Sequence, residues 1–166
     1  VYMDCVKALD FLETVPFIDR DRRFVRGTSQ GGALGMAVSA LDRRVKLALV
    51  NVPSNSNIEY RVEHRHGSFT SVNDYLRRYP DNLERVYETL SYFDTMNMAE
   101  HITAKVFASV GLADPVCPAL CYYATYNRIR SEKHICVYPF NEHDGARDTH
   151  IERELAFVRE SGLLTD

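Results

Sequence analysis

Six residues constrain this chain most: Gly27-Thr28-Ser29-Gln30-Gly31-Gly32, a Gly-x-Ser-x-Gly motif lying between two segments of different period. Arg22 to Arg26 (RRFVR) reads as a short extended segment, whereas Gln30 to Leu41 (QGGALGMAVSAL) places Leu34, Val38 and Leu41 at helical spacing. A serine on a sharp turn from strand to helix has its hydroxyl held up at the end of a sheet. The glycines beside it permit a backbone turn that a Cβ would obstruct. The flanking periods, more than the motif itself, predict a strand-turn-helix elbow.

The same alternation runs through most of the chain. Val1 to Thr14 is helix-like, with Val6, Leu9 and Leu12 facing one way, and Pro16 to Asp21 connects it to the elbow strand. Val45 to Val52 (VKLALVNV) is the near-continuous apolar run of a parallel strand covered on both faces. Lys105 to Val110 and His134 to Tyr138 read as further strands, with a helix over Pro118 to Arg130 between them. A last helix spans Asp148 to Ser161 and ends at Gly162. Strands alternating with helices predict an α/β fold with a parallel sheet and flanking helices. The rhythm breaks between about residues 55 and 101, a polar, aromatic and charged stretch that reads as a helical excursion.

With 166 residues, 45% hydrophobic and 26% charged, the chain is one domain's worth and has no repeat. A net charge of −3 argues against general nucleic-acid binding. No apolar run approaches the ~20 residues of a membrane span, so neither partner is expected. Cys5, Cys117, Cys121 and Cys136 form no CxxC pair and have no histidine at zinc-ligand spacing. Three of them sit in apolar stretches, the setting of buried free thiols and, weakly, of a reducing compartment. Glu63-His64-Arg65-His66 reads as a surface or lid segment in preference to a metal site. Tyr122, Tyr123 and Tyr126 form a helical aromatic stripe expected in the core.

In a parallel sheet, reactive groups gather beyond the carboxyl ends of the strands. Ser29 follows the first strand, Asp114 follows Lys105 to Val110, and His143 follows His134 to Tyr138. The order Ser, Asp, His is the chain order of α/β-hydrolases. A serine hydroxyl is a poor nucleophile until a neutral imidazole takes its proton, and a carboxylate fixes the tautomer and stabilises the imidazolium. The backbone N–H of Gln30, at a helix N-terminus, is a candidate oxyanion donor. Asp94 and Asp144 are rival acids, although Asp144 adjoins the histidine and is poorly placed to reach its Nδ1.

On these residues the chain resembles the acetyl xylan esterase and cephalosporin C deacetylase family of α/β-hydrolases. The similar segments are Asp19 to Ala40, Leu90 to Asn97 (LSYFDTMN), Val110 to Pro118 (VGLADPVCP), Tyr126-Asn127 and Val137 to His143 (VYPFNEH). The resemblance implies Ser29 as nucleophile, Asp114 as acid, His143 as base and Gln30 as an oxyanion donor. It also implies removal of acetyl groups from small acetylated sugars and related acetyl esters, no metal or other cofactor, homo-oligomers that narrow the substrate entrance, and a cytoplasmic location.

The similarity covers the family's C-terminal half, so residues 1–166 read as a partial α/β-hydrolase domain. The loop that supplies the second oxyanion donor in the family lies outside the matched part. The strand before Ser29 is then an uncovered sheet edge, and Arg23 and Arg26, where the family carries apolar or small residues, are expected to be paired or exposed. Two other readings stand beside the esterase: a non-catalytic half-domain that associates through its open edge, and an amidase or peptidase using the same triad.

Overall fold

The computed structural model describes residues 1–164. Its centre is a sheet of four strands in chain order, β1 (Phe24–Thr28), β2 (Leu47–Asn51), β3 (Lys105–Gly111) and β4 (Lys133–Tyr138). All three pairings are parallel, with Phe24 opposite Leu47, Leu47 opposite Lys105 and Val106 opposite Lys133. Every carboxyl end therefore opens onto the same side of the molecule, which is where the sequence puts its candidate groups.

Burial follows from composition and period. LALVN of β2 is buried throughout, and KVFASVG of β3 at every position but Lys105, as interior strands covered on both faces must be. Side chains alternate between the two faces. Ala48, Val50, Val106 and Ala108 pack against Leu9 of α1 (Tyr2–Glu13), Met36 and Val38 of α2 (Gln30–Leu41), and Tyr122 of α7 (Ala119–Tyr126). On the opposite face, Leu47, Leu49 and Phe107 meet Val158 of α8 (Arg147–Glu160).

β1 is an edge strand, as expected, and starts two residues later than RRFVR suggests. The cause is a local turn in which Asp19 Oδ1 accepts from Asp21 N–H at 2.9 Å and Oδ2 from Arg22 Nε at 2.6 Å. That Asx-type turn competes with extension through Arg22. Arg23 is thus left at the mouth of the strand, where it pairs with Glu13 and gives its Nε–H to the Arg20 carbonyl at 2.9 Å. Arg26 does lie in β1, 44% exposed, and pairs with Glu154 at 2.8 Å. Helix α7 also stops earlier than the pattern suggests. Lys133 Nζ donates to the Tyr126 and Ile129 carbonyls, both at 2.8 Å, and so satisfies the chain where the helix ends.

Between β2 and β3 the excursion is built from α3 (Ile58–Glu63), α4 (Thr70–Arg78), α5 (Leu83–Ser91) and α6 (Thr95–Met98), with 3₁₀ turns at Gly67–Phe69, Pro80–Asn82 and Ala99–His101. It has a small core of its own, Ile58, Val62 and Phe69 with Val72, Leu76 and Leu90 beside them. Asp94 ties its two ends together by accepting from the N–H groups of Asn57 (3.0 Å), Ile58 (2.7 Å) and Met96 (2.9 Å). Among the described residues, no helix is long and apolar enough to cross a membrane.

Candidate active site

The elbow forms as the glycine pattern requires. Ser29 has φ 57° and ψ −117°, a conformation an L-residue adopts only when its surroundings enforce it. Those surroundings are three backbone bonds: Ser29 N–H to the Asn51 carbonyl (2.9 Å), and Ala33 N–H (3.1 Å) and Ser54 N–H (2.9 Å) to the Ser29 carbonyl. A Cβ on Gly27 would stand 2.2 Å from the Gly31 carbonyl carbon and oxygen, so the strand and the first turn of α2 can approach only because residue 27 has none. Gly32 faces Pro53 in the same way, with a Cβ placed 3.0 Å from the proline's own Cβ.

Loops after β3 and β4 carry the other two groups to this serine. The Asp114 side chain is fully buried, and its Oδ1 accepts from Val116 N–H (2.8 Å) and Cys117 N–H (2.9 Å). Its Oδ2 lies 2.8 Å from His143 Nδ1, and His143 Nε2 lies 2.9 Å from Ser29 Oγ. An ionised carboxylate only accepts, so Nδ1 carries the proton and Nε2 is left to accept from the serine hydroxyl. Gly111 makes the approach of the two loops possible, since a Cβ there would sit 2.3 Å from the Glu142 carbonyl oxygen. Gln30 begins α2 directly after the serine; its N–H belongs to the helix's first turn, where the backbone donors have no intrahelical acceptor.

The rival acids are occupied elsewhere. Asp94 caps the excursion as described, and burial raises its pKa above the ordinary carboxylate value despite those three N–H bonds. Asp144 accepts from Asn141 Nδ2 (3.1 Å) and Glu142 N–H (3.1 Å) on its own loop. His143 lines an open hollow of about 590 Å³ together with Phe140, Glu142 and Arg147. A second hollow of the same size, between α4 and α5, contains none of the three residues. His64 stacks on Tyr60 with ring centroids 3.8 Å apart, and Arg65 binds Asn73 and Asp74 of α4, so the Glu63–His66 segment is spent on joining α3 to α4. Cys117 and Cys121 are buried free thiols, whereas Cys5 and Cys136 are half-buried. Of the tyrosine stripe, Tyr122 alone is fully enclosed.

Two supports of this site carry no signal in the sequence. Asn51, whose carbonyl holds Ser29, also gives its Nδ2–H to Glu154 on α8 at 2.9 Å. Arg61, in the excursion, reaches the loops carrying Ser54 and Cys117. Asn51 falls in the apolar run of β2 and Arg61 in the helical excursion, but Glu154 and Cys117, the distant partners of each, lie more than fifty residues away in the chain.

The family model described as acetyl xylan esterase (AXE1) matches residues 1–161. The acetyl esterase Axe7A of Xylanibacter ruminicola is 34% identical over 155 residues, covering 93% of this chain and 35% of that protein. The acetyl xylan esterase from Paenibacillus sp. R4 superposes with a TM-score of 0.91 at 37% identity, over 96% of this chain and 51% of its own. Acetyl xylan esterase 1 from Thermoanaerobacterium sp. JW/SL YS485 gives 0.88 at 32% identity, over 99% and 53%. The chain therefore spans about half the length of these solved relatives and about a third of the curated one.

Proposed function

This chain belongs to the acetyl xylan esterase family and carries part of its α/β-hydrolase fold, and from that premise we propose that it is the nucleophile-bearing part of a serine esterase that removes acetyl groups from acetylated carbohydrates and related acetyl esters. The observation that carries the reading is the continuous relay Asp114 Oδ2, His143, Ser29 Oγ, at 2.8 and 2.9 Å, ending on a serine held at positive φ.

In this reading Ser29 Oγ attacks the acetyl carbonyl carbon while His143 Nε2 takes the hydroxyl proton. Asp114 stays ionised and stabilises the imidazolium. Charge developing on the carbonyl oxygen is met by the Gln30 N–H, a fixed donor at the start of α2. Collapse of the tetrahedral species breaks the bond to the sugar oxygen, which leaves as the alcohol with the proton from His143, and acetyl remains on Ser29. Water then gives a proton to His143 and attacks the acyl carbon. Acetate departs, and the proton returns to Ser29 Oγ.

The test is acetyl release from an activated acetate ester by the full-length protein. Ser29→Ala and His143→Ala are expected to lower turnover by at least ~10⁴-fold. Turnover of Ser29→Ala within tenfold of the parent sinks the reading.

A second reading is favoured by the open edge of β1: the 166-residue chain acts only with a further segment or a second copy paired on that edge. A serine-reactive fluorophosphonate separates the two. Stoichiometric labelling of Ser29 in monomeric 166-residue chain supports a self-sufficient site, and labelling confined to an oligomer or to the chain joined to a further segment supports the second reading.

A further inference from the structure

Arg61 is among the most enclosed side chains of the protein, 1% exposed, and carries a full charge. Among the described residues its partners are all neutral. Nη1 donates to Ser54 Oγ (2.9 Å) and Nη2 to the Val116 carbonyl (2.7 Å), with Cys117 Sγ 3.7 Å away. The guanidinium carbon lies 4.6 Å from the Phe69 ring centroid, and Nε has no hydrogen-bond partner. Burial pushes the Cys117 thiol above its ordinary pKa against the pull of Arg61, so this sulfur is not a counter-ion at neutral pH. A cation enclosed without an adjacent anion is costly and calls for a role beyond packing.

The bonds it makes are specific to the candidate site. Ser54, which takes Nη1, gives its own N–H to the Ser29 carbonyl at 2.9 Å. The Val116 carbonyl that takes Nη2 belongs to the same peptide group as the Cys117 N–H that donates to Asp114 Oδ1. One amide therefore stands between the guanidinium and the buried carboxylate, its oxygen toward the cation and its N–H toward the anion. Each charge polarises that amide in the direction that strengthens the other bond. Asp94 anchors the N-terminus of α3, the helix from which Arg61 projects, so the excursion is joined to this contact.

We propose that Arg61 is a positioning residue that locks the loop after β2 to the turn after β3, holding Ser29 and Asp114 at the separation His143 bridges. The helical excursion thereby becomes a structural member of the site. The inference rests on the roles given above to Ser29, His143 and Asp114.

The experiment is steady-state hydrolysis of an activated acetate ester by full-length Arg61→Met, Arg61→Lys and Arg61→Ala, with thermal melts to confirm folding and Ser29→Ala as control. A misplacement of this kind is expected to cost kcat about 100-fold in Arg61→Met while KM stays within about threefold. Arg61→Lys, which keeps the charge, should lose less, and millimolar guanidinium chloride should restore Arg61→Ala at least about tenfold without affecting the parent. Folded Arg61→Met with kcat within about threefold of the parent, or folded Arg61→Ala that guanidinium leaves unrestored, overturns the proposal. Should the Arg61 variants not fold, Gly67→Ala decides. Its Cβ would stand 2.9 Å from the Val116 carbonyl and 3.1 Å from Arg61 Nη2, wedging the contact while keeping the charge. A lowered kcat at unchanged KM supports the role, and an unchanged kcat removes it. Activity surviving in Ser29→Ala would instead strike the site assignment itself.

Discussion

Three glycines at or beside the elbow look equivalent in sequence and are not equivalent in space. A Cβ at Gly27 meets backbone at 2.2 Å, and backbone cannot swing aside as a flexible side chain does, whereas a Cβ at Gly31 finds nothing within 4 Å. Gly27→Ala is therefore expected to destabilise the fold by about 3 kcal/mol and to disturb Ser29. Gly31→Ala, in the first turn of a helix, should be neutral or stabilising by up to about 1 kcal/mol. Urea midpoints of the two variants check both statements. A Gly27→Ala midpoint equal to the parent's contradicts the packing described for the elbow. The two acids beside the site make a similar point. Asp94 and Asp114 each accept backbone N–H groups, but only Asp114 keeps an oxygen turned toward an imidazole.

Elements are joined by pairs that no local pattern announces. β1 is held to α8 by Arg26 Nε on Glu154 Oε2 at 2.8 Å, and β2 to α8 by Asn51 Nδ2 on Glu154 Oε1 at 2.9 Å. Glu154 is buried to 2% exposure, while Arg26 remains 44% exposed, so the carboxylate depends on the pair more than the guanidinium does. Arg26→Leu is expected to cost about 2 kcal/mol because it strips a buried acceptor of its charged donor. Changing Glu154→Gln alongside should recover part of that loss, since the remaining group is then neutral. Chemical denaturation of the two single variants and the double variant measures the coupling. Strict additivity would mean that the edge strand is held by packing alone.

At the scale of the whole molecule, the buried base His150 links stability to pH. His150 is 1% exposed, with Nδ1 3.0 Å from the Tyr138 hydroxyl and Nε2 3.8 Å from Glu154. Burial holds its pKa below the ordinary value, with Glu154 opposing the shift. The unfolded chain then takes the proton first. Its contribution to stability is complete above pH ~6.5 and is lost as pH falls through the lower folded pKa, at up to about 1.4 kcal/mol per pH unit. Urea titrations across this range should show that slope and should show it flattened in His150→Phe; a slope equal in the two proteins rules out His150 as its source. What the sequence alone determined is the part that neighbouring residues encode: the elbow, the helix over Gln30–Leu41, the apolar run of β2, the helical character of residues 55–101, and the placing of Ser29, Asp114 and His143 just beyond three strands. Side-chain period and glycine sterics act within a few residues and can be read there. Tertiary structure decided which carboxylate faces His143, how Arg23 and Arg26 are satisfied, where β1 and α7 end, and that Arg61 is enclosed between the loops after β2 and β3. Those outcomes depend on burial and on contacts between segments far apart in the chain, which exist only once the sheet has brought its carboxyl ends together.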